Sequence, residues 1–282
     1  MADAPFGVRL AEAFAGPGRL CVGIDPHGPL LDEWGLPDSA RGARDLGLRV
    51  VEAAAGRAGI VKPQVGFFER HAAAGYSALE EVVAAARAAG LLVIADVKRG
   101  DIGSSVDAYA EGWLTPGSPL EVDAITAVAY QGVGSLDGVY ALAERHGKGV
   151  FTLAATSNPE AAAVQTARRP DGASVALGVL RELAERRPER PEAPFDPLGV
   201  VLGGTLVLAD YGIEPEELRR TPVLAPGFGH QGARFEQLPG IYGAAVASVI
   251  PSASRSILSA GPDGLAAAIE AAVEEVAAAC RR

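Results

Sequence analysis

The sequence predicts a closed parallel barrel of eight β/α units, a (β/α)8 TIM barrel built as one domain over residues 1–282. Three observations carry that expectation. Eight short apolar runs recur along the chain. Stretches rich in Ala, Leu and Val, with helical spacing, lie between most of them. Polar and charged residues gather at the carboxyl ends of the runs. A doubly wound open sheet is the structural alternative that the same alternation allows.

The runs, in order, are Leu20 to Asp25, Ile60 to Gln64, Leu91 to Asp96 and Asp123 to Val128, then Gly149 to Ala154, Leu198 to Leu202, Val223 to Ala225 and Ala245 to Ile250. Most are nearly continuous in apolar residues, as strands buried on both faces require. Glu69 to Ala89 is the clearest helix and stops at Gly90; Leu265 to Ala279 reads as the last one. Leu114 to Leu120 contains Pro116, Gly117 and Pro119 and is expected as a loop. Arg186 to Pro197 is rich in Pro, Arg and Glu and is expected as a solvated surface connection. The β/α alternation continues on both sides of these segments, so neither reads as a domain linker.

Composition narrows the function. A net charge of −10 argues against nucleic acid or an anionic membrane as the main partner. No apolar run is long enough to span a bilayer, and the N-terminus lacks a basic segment followed by an apolar signal core. The two cysteines, Cys21 and Cys280, supply no disulfide or metal framework, so a cytoplasmic protein is expected. His27, His71, His146 and His230 form no close-spaced metal motif. His27 and His230 could line the mouth of the barrel, whereas His71 and His146 read as helical or surface residues. Trp34 and Trp113 read as packing anchors.

The strand ends hold the groups with chemistry. In a parallel barrel these ends share one mouth. The third run closes in Asp96-Val97-Lys98-Arg99-Gly100-Asp101-Ile102. Residues two apart on a strand face the same side, so Asp96 and Lys98 are expected to point together, with Asp101 following on the loop. A salt bridge capping the strand would use the same residues. The first run ends in Asp25-Pro26-His27, the second carries Lys62-Pro63-Gln64, and the fifth leads into Thr156-Ser157-Asn158-Pro159. Ser157 lacks the context of a nucleophile elbow. The seventh leads into Pro226-Gly227-Phe228-Gly229-His230-Gln231-Gly232, and the eighth into Ser252-Ala253-Ser254-Arg255. Gly227, Gly229 and Gly232 allow close backbone approach, Gln231 offers amide donors, and Arg255 offers a planar fork. Barrels often hold phosphate on these last two loops, although a Gly-rich turn and a surface arginine would look alike.

With those residues laid out, the chain resembles the orotidine 5′-phosphate decarboxylase family, in its longer bacterial branch, from Asp25 to Arg255. Asp96, Lys98, Asp101 and Ile102 meet the family signature D-x-K-x-x-D-I. Val61 to Glu69 is similar to that branch's second-strand segment, and Pro226 to Gly232 to its phosphate loop. The resemblance implies conversion of orotidine 5′-phosphate to UMP, the last step of de novo pyrimidine biosynthesis, with no cofactor and no metal. It implies that Asp25 and Lys62 contact the ribose hydroxyls, that Ser157 contacts the pyrimidine, and that Gln231 and Arg255 hold the phosphate. Lys62, Asp96, Lys98 and Asp101 would form an alternating charge network, with Lys98 delivering the proton to C6. Asp101 would reach the neighbouring subunit's site, which implies a homodimer with shared active sites. Two positions depart from the pattern. Ser105 stands where threonine is expected at a ribose contact and keeps the hydroxyl. Ala129 stands before Tyr130 where proline is expected. The segment Gly229 to Leu238 is the expected closing loop.

The chemistry accounts for these residue types. Loss of carbon dioxide from C6 leaves a carbanion with no adjacent carbonyl π-system, and no PLP, thiamine or metal motif offers a sink. Fixed electrostatics must carry the charge. An ammonium at Lys98 does so and then donates its proton. Asp96 near the departing carboxylate would disfavour the bound ground state. Lys62 and Asp101 would keep Lys98 charged and oriented. Three other readings use part of this pattern. Magnesium-dependent phosphosugar relatives, such as a keto-gulonate phosphate decarboxylase or a hexulose phosphate synthase, share D-x-K-x-x-D. A noncatalytic nucleotide-binding barrel would need phosphate contacts but not Asp96 and Lys98. A structural or interaction protein would leave the polar mouth unexplained.

Overall fold

The computed structural model describes residues 4–188 and 193–281. Eight parallel strands hydrogen-bond in sequential order, and the last pairs with the first, so the sheet is closed and the open-sheet alternative falls. The strands are β1 (Cys21–Ile24), β2 (Ile60–Pro63), β3 (Leu92–Arg99), β4 (Ala124–Ala127), β5 (Gly149–Ala155), β6 (Leu198–Leu202), β7 (Val223–Pro226) and β8 (Val249–Ala253). Helix α1 (Phe6–Ala15) precedes the barrel. Then α2 (Gly28–Glu33) and α3 (Ala40–Ala54) follow β1, α4 (Gly66–Glu69) and α5 (Ala72–Ala88) follow β2, α6 (Gly103–Leu114) follows β3, and α7 (Asp137–Arg145) follows β4. Helices α8 (Ala162–Gln165) and α9 (Val175–Glu185) follow β5, α10 (Leu238–Tyr242) follows β7, and α11 (Arg255–Leu258) and α12 (Gly261–Cys280) follow β8. After β6 two 3₁₀ turns, Leu208–Tyr211 and Pro215–Leu218, stand where an α-helix would complete the repeat.

Side-chain alternation sorts each strand into two layers. Val22, Val61, Val93 and Ala95 pack outward against the helices. Cys21, Ile60, Ile94 and Ala124 pack inward with Phe151 and Ile250. Helix α1 plugs the N-terminal end of the barrel. Its Phe6 and Leu10 join the inner cluster, and the Phe6 ring meets Phe151 edge-on at 5.9 Å. Trp34 and Trp113 are buried, as expected of anchors, and the Trp34 indole N–H donates to Leu258 O at 3.0 Å.

Four segments differ from the sequence expectation. The eighth strand begins at Val249, not Ala245, because Gly243–Ser248 winds as a 3₁₀ helix pinned by Ser248 Oγ to Leu218 O and Ala245 O. An apolar run free of turn signals does not distinguish that winding from a strand. The helix expected from Glu69 is interrupted at Arg70 and His71, and it restarts at Ala72 with φ +51°. The break leaves Glu69 free to pair with Arg99 of β3 at 2.7 Å. Arg186 to Pro197 is not wholly solvated. Ala193 and Asp196 are buried, and Asp196 pairs with Arg187 and Arg220. Residues 189–192 of that segment lie outside the described residues. Finally, β3 runs on to Arg99. The loop expected over Leu114 to Leu120 is present from Thr115, after the last residue of α6.

Candidate active site

The inward register of the strands builds a charged layer one step above the apolar one. Ile60 is followed inward by Lys62, Ile94 by Asp96, Ala124 by Thr126, and Ile250 by Ser252. All four polar residues are buried. Asp96 is the hub. Its Oδ2 accepts from Lys62 Nζ at 3.1 Å, and its Oδ1 accepts from Lys98 Nζ at 2.6 Å and from Thr126 Oγ1 at 2.9 Å. Burial alone would raise the pKa of Asp96, but Lys62 and Lys98 outweigh it and hold the carboxyl well below the usual carboxylate range. Burial likewise works against the Lys62 ammonium; Asp96 and Asp25 outweigh it and keep Lys62 charged. Cys21 lies below this layer, and burial pushes its thiol up to about 12, so it stays protonated.

Lys98 joins Asp96 by a route that simple alternation does not provide. Between Ala95 and Arg99, four residue steps of β3 match two of β4, from Ile125 to Ala127. The extra length is taken up in a bulge, and Lys98 sits there at φ +44°. For a residue with a side chain that conformation costs on the order of 1–3 kcal/mol and persists only where surrounding contacts impose it. The Lys98 N–H donates to Thr126 Oγ1 at 2.9 Å, which is one such contact. The side chain reaches Asp96 from the solvent edge and stays about half exposed, at 47%.

Asp101 does not enter its own chain's charge row. Its Oδ1 accepts from the Ile102 N–H at 2.9 Å, and it makes no ion pair among the described residues. Ser105 lies on the exposed first turn of α6. Ile102 and Tyr109, close to them in sequence, and Tyr130, on the loop after the neighbouring strand β4, are large apolar residues left exposed.

The opposite side of the mouth is a small cleft of about 80 Å³, where Asp25 and Lys62 meet Gln231, Ser252, Ser254 and Arg255. Asp25 Oδ1 and Ser254 Oγ are buried there without hydrogen-bond partners. Gly227, Gly229 and Gly232 have φ of 111°, 80° and 102°, values that a side chain would strain, and they fold the segment into a tight turn closed by Gly229 N–H to Ala233 O at 2.8 Å. Phe228 stacks on Phe235 at 5.2 Å, and Ala233, Phe235 and Leu238 are buried. The expected closing segment is therefore exposed mainly over Gly229 to Gly232 and anchored beyond. His230 lines the cleft, whereas His27 caps α2 by accepting from the Leu30 N–H. Wider clefts lie elsewhere, about 430 Å³ beside Asp137 and Arg186 and about 540 Å³ beside Arg9 and Arg87, but neither gathers the charge row and the Gly-rich turn.

Ser157 is exposed at the end of β5, beside Gly203, whose missing Cβ leaves space next to it. Its loop is braced by Gln165, which accepts from the Thr156 N–H at 2.9 Å and donates to Thr156 Oγ1 at 3.0 Å. Thr126 and Gln165 were not singled out by the sequence reading. Thr126 had a usable signal, a polar residue on the inward register of a buried run. Gln165 had none.

The chain matches the model of the orotidine 5′-phosphate decarboxylase / HUMPS family over residues 18–271. It is 46% identical over 278 residues to the orotidine 5′-phosphate decarboxylase of Salinispora tropica, covering 98% of this chain and 97% of that one. It is 48% identical over 260 residues to that of Streptomyces coelicolor, covering 92% and 91%. Among solved structures, it is similar to a Streptomyces avermitilis protein assigned as an orotidine 5′-phosphate decarboxylase, with a TM-score of 0.94, 46% identity and coverage of 100% and 98%.

Proposed function

The chain belongs to the orotidine 5′-phosphate decarboxylase / HUMPS family and is a carboxy-lyase, and from that premise we propose that it converts orotidine 5′-phosphate to UMP by fixed electrostatics, with Lys98 as the proton donor. The reaction belongs to pyrimidine biosynthesis, as the last step of the de novo route, and runs in the cytoplasm. The observation that carries this reading is the row Lys62–Asp96–Lys98 across the ends of β2 and β3.

The C6–carboxylate bond breaks, carbon dioxide leaves, and the electron pair stays on C6. The Lys98 ammonium faces that charge as it develops and then passes a proton from Nζ to C6; water restores the proton. Asp96 anchors and aims the Lys98 ammonium, and Lys62 holds Asp96 ionised. These groups are fixed before the substrate arrives, so little reorganisation accompanies the chemistry. Asp25 and Lys62 take the ribose hydroxyls, with Ser105 as a further ribose contact. Ser157 takes the pyrimidine, and Gln231 and Arg255 the phosphate. The phosphate is remote from C6, so its binding energy is available to close the turn Gly229 to Gly232 over the site.

The reading also makes the enzyme a homodimer in which Asp101 completes the partner's charge row. The exposed Ile102, Tyr109 and Tyr130 around that loop support a contact surface there. Mixing Lys98→Ala with Asp101→Ala chains tests it. Roughly a quarter to a half of normal activity should return if subunits exchange, because each heterodimer gathers both defects in one site and leaves the other site intact. Confirmed heterodimers without recovery would show that Asp101 serves its own chain.

The reaction itself is tested by following orotidine 5′-phosphate loss with and without exhaustive chelation. Full activity under chelation is expected. Strict dependence on added magnesium would favour a phosphosugar activity within the same family.

A further inference from the structure

We propose that Thr126 is a positioning residue that aims Lys98 through two hydrogen bonds; the inference rests on the reaction proposed above. The chemistry of the three partners fixes the direction of each bond. The Lys98 N–H can only donate, and it does so to Thr126 Oγ1 at 2.9 Å. The Asp96 carboxylate can only accept, so the Thr126 hydroxyl gives its one proton to Asp96 Oδ1 at 2.9 Å. That same Oδ1 accepts from Lys98 Nζ at 2.6 Å. The bonds close a ring that begins at the Lys98 backbone and returns to the Lys98 ammonium.

This ring lies where the backbone departs from its relaxed form. Lys98 is held at φ +44° on the β3 bulge, and the hydroxyl comes from the neighbouring strand β4. Thr126 is 1% exposed, so water cannot readily replace it. A side chain on one strand thus fixes both the strained backbone of the proton donor and the carboxylate that orients its amine. Without it, Asp96 Oδ1 still attracts Lys98, but the Lys98 N–H is left without its partner and the bulge loses a constraint.

The test compares Thr126→Val, Thr126→Ser and Thr126→Cys. Valine keeps the volume and removes both bonds. Serine keeps both, and cysteine is near serine in size but only a weak donor and acceptor. For Thr126→Val we expect kcat to fall roughly 10- to 100-fold, the scale of a small misplacement of a reacting group, with KM and UMP affinity changed less than about twofold. Thr126→Ser should stay near wild type and Thr126→Cys should fall with valine. If valine does not fold, the serine–cysteine pair decides alone. A kcat within about twofold of wild type in the valine or cysteine variants would overturn the proposal. So would a parallel loss of UMP affinity that serine fails to rescue, since that is a merely structural role. Amide hydrogen exchange at Lys98 without substrate should speed by about tenfold in Thr126→Val and not in Thr126→Ser. Unchanged exchange would show that the ring does not hold the Lys98 backbone. That readout stands even if wild type fails to turn over orotidine 5′-phosphate, an outcome that would overturn the proposed reaction instead.

Discussion

Both ends of the barrel bury ion pairs, and they use them differently. At the N-terminal end, Lys148 is 2% exposed and donates to Glu121 Oε1 at 2.7 Å, while Glu121 Oε2 accepts from the Gly117 N–H at 2.8 Å and Arg87 adds a third contact. Beside it, Asp123 pairs with Arg9 and accepts from the Val93 N–H at 2.8 Å. These groups are matched within the chain, on relaxed backbone. At the mouth, Asp96 carries two ammonium groups, Lys98 is strained and half exposed, and Asp25 Oδ1 is buried with no hydrogen-bond partner. One cluster is complete and clamps α1, α5 and the starts of β4 and β5. The other has capacity left over. In barrels of this kind, conserving stability at one end and chemistry at the other is the general pattern. Here the Glu121–Lys148 cluster and the Asp96 cluster follow that pattern.

Asp96→Asn should break the contrast most severely, because Asp96 serves both purposes. Turnover should fall by more than about 10³-fold as Lys98 loses its anchor. Unfolding free energy should also drop by about 3–5 kcal/mol, since Lys62 becomes a buried ammonium with its main partner gone. Denaturant titration and steady-state kinetics on the same sample read both. Lys148→Ala should show the stability half alone. It leaves Glu121 buried with only Arg87 and the Gly117 N–H, for a loss of about 3 kcal/mol, while kcat/KM of the folded enzyme is unchanged. A kinetic defect there would mean the two ends are coupled. Arg255→Ala should show the binding half alone. UMP affinity should weaken by about 2 kcal/mol, or roughly 30-fold, as expected for a lost charge-assisted hydrogen bond, with uridine unaffected. Equal losses for both ligands would mean that Arg255 does not touch phosphate.

The same contrast decides what was legible in the sequence. Strands buried on both faces announce themselves as apolar runs, so β6 falls on Leu198–Leu202 as expected and the other strands within a few residues. The inward positions Lys62 and Asp96 follow from period-two register. What the sequence hides is backbone that leaves its regular form. The bulge at Lys98, the 3₁₀ entry to β8 and the break after Glu69 each accompany a contact with a residue distant in sequence: Thr126, Leu218 and Arg99 respectively. The Lys98–Asp96 pairing was expected for the wrong reason, because alternation ends at the bulge and the left-handed residue restores the approach. Asp101 could be found as a motif residue, but its lack of an ion pair among the described residues needed the fold. The completeness of the Glu121–Lys148 pair at the other end was invisible, since neither residue lies in a recognisable pattern.

The most direct test of this division is Lys98→Ala, measured for turnover of orotidine 5′-phosphate and for unfolding free energy on one preparation. The account predicts a loss of turnover greater than about 10³-fold with stability within about 1 kcal/mol of wild type, because the pair it breaks is half exposed and Lys62 still neutralises Asp96. Near-normal turnover, or a loss of stability as large as that of Lys148→Ala, would contradict it.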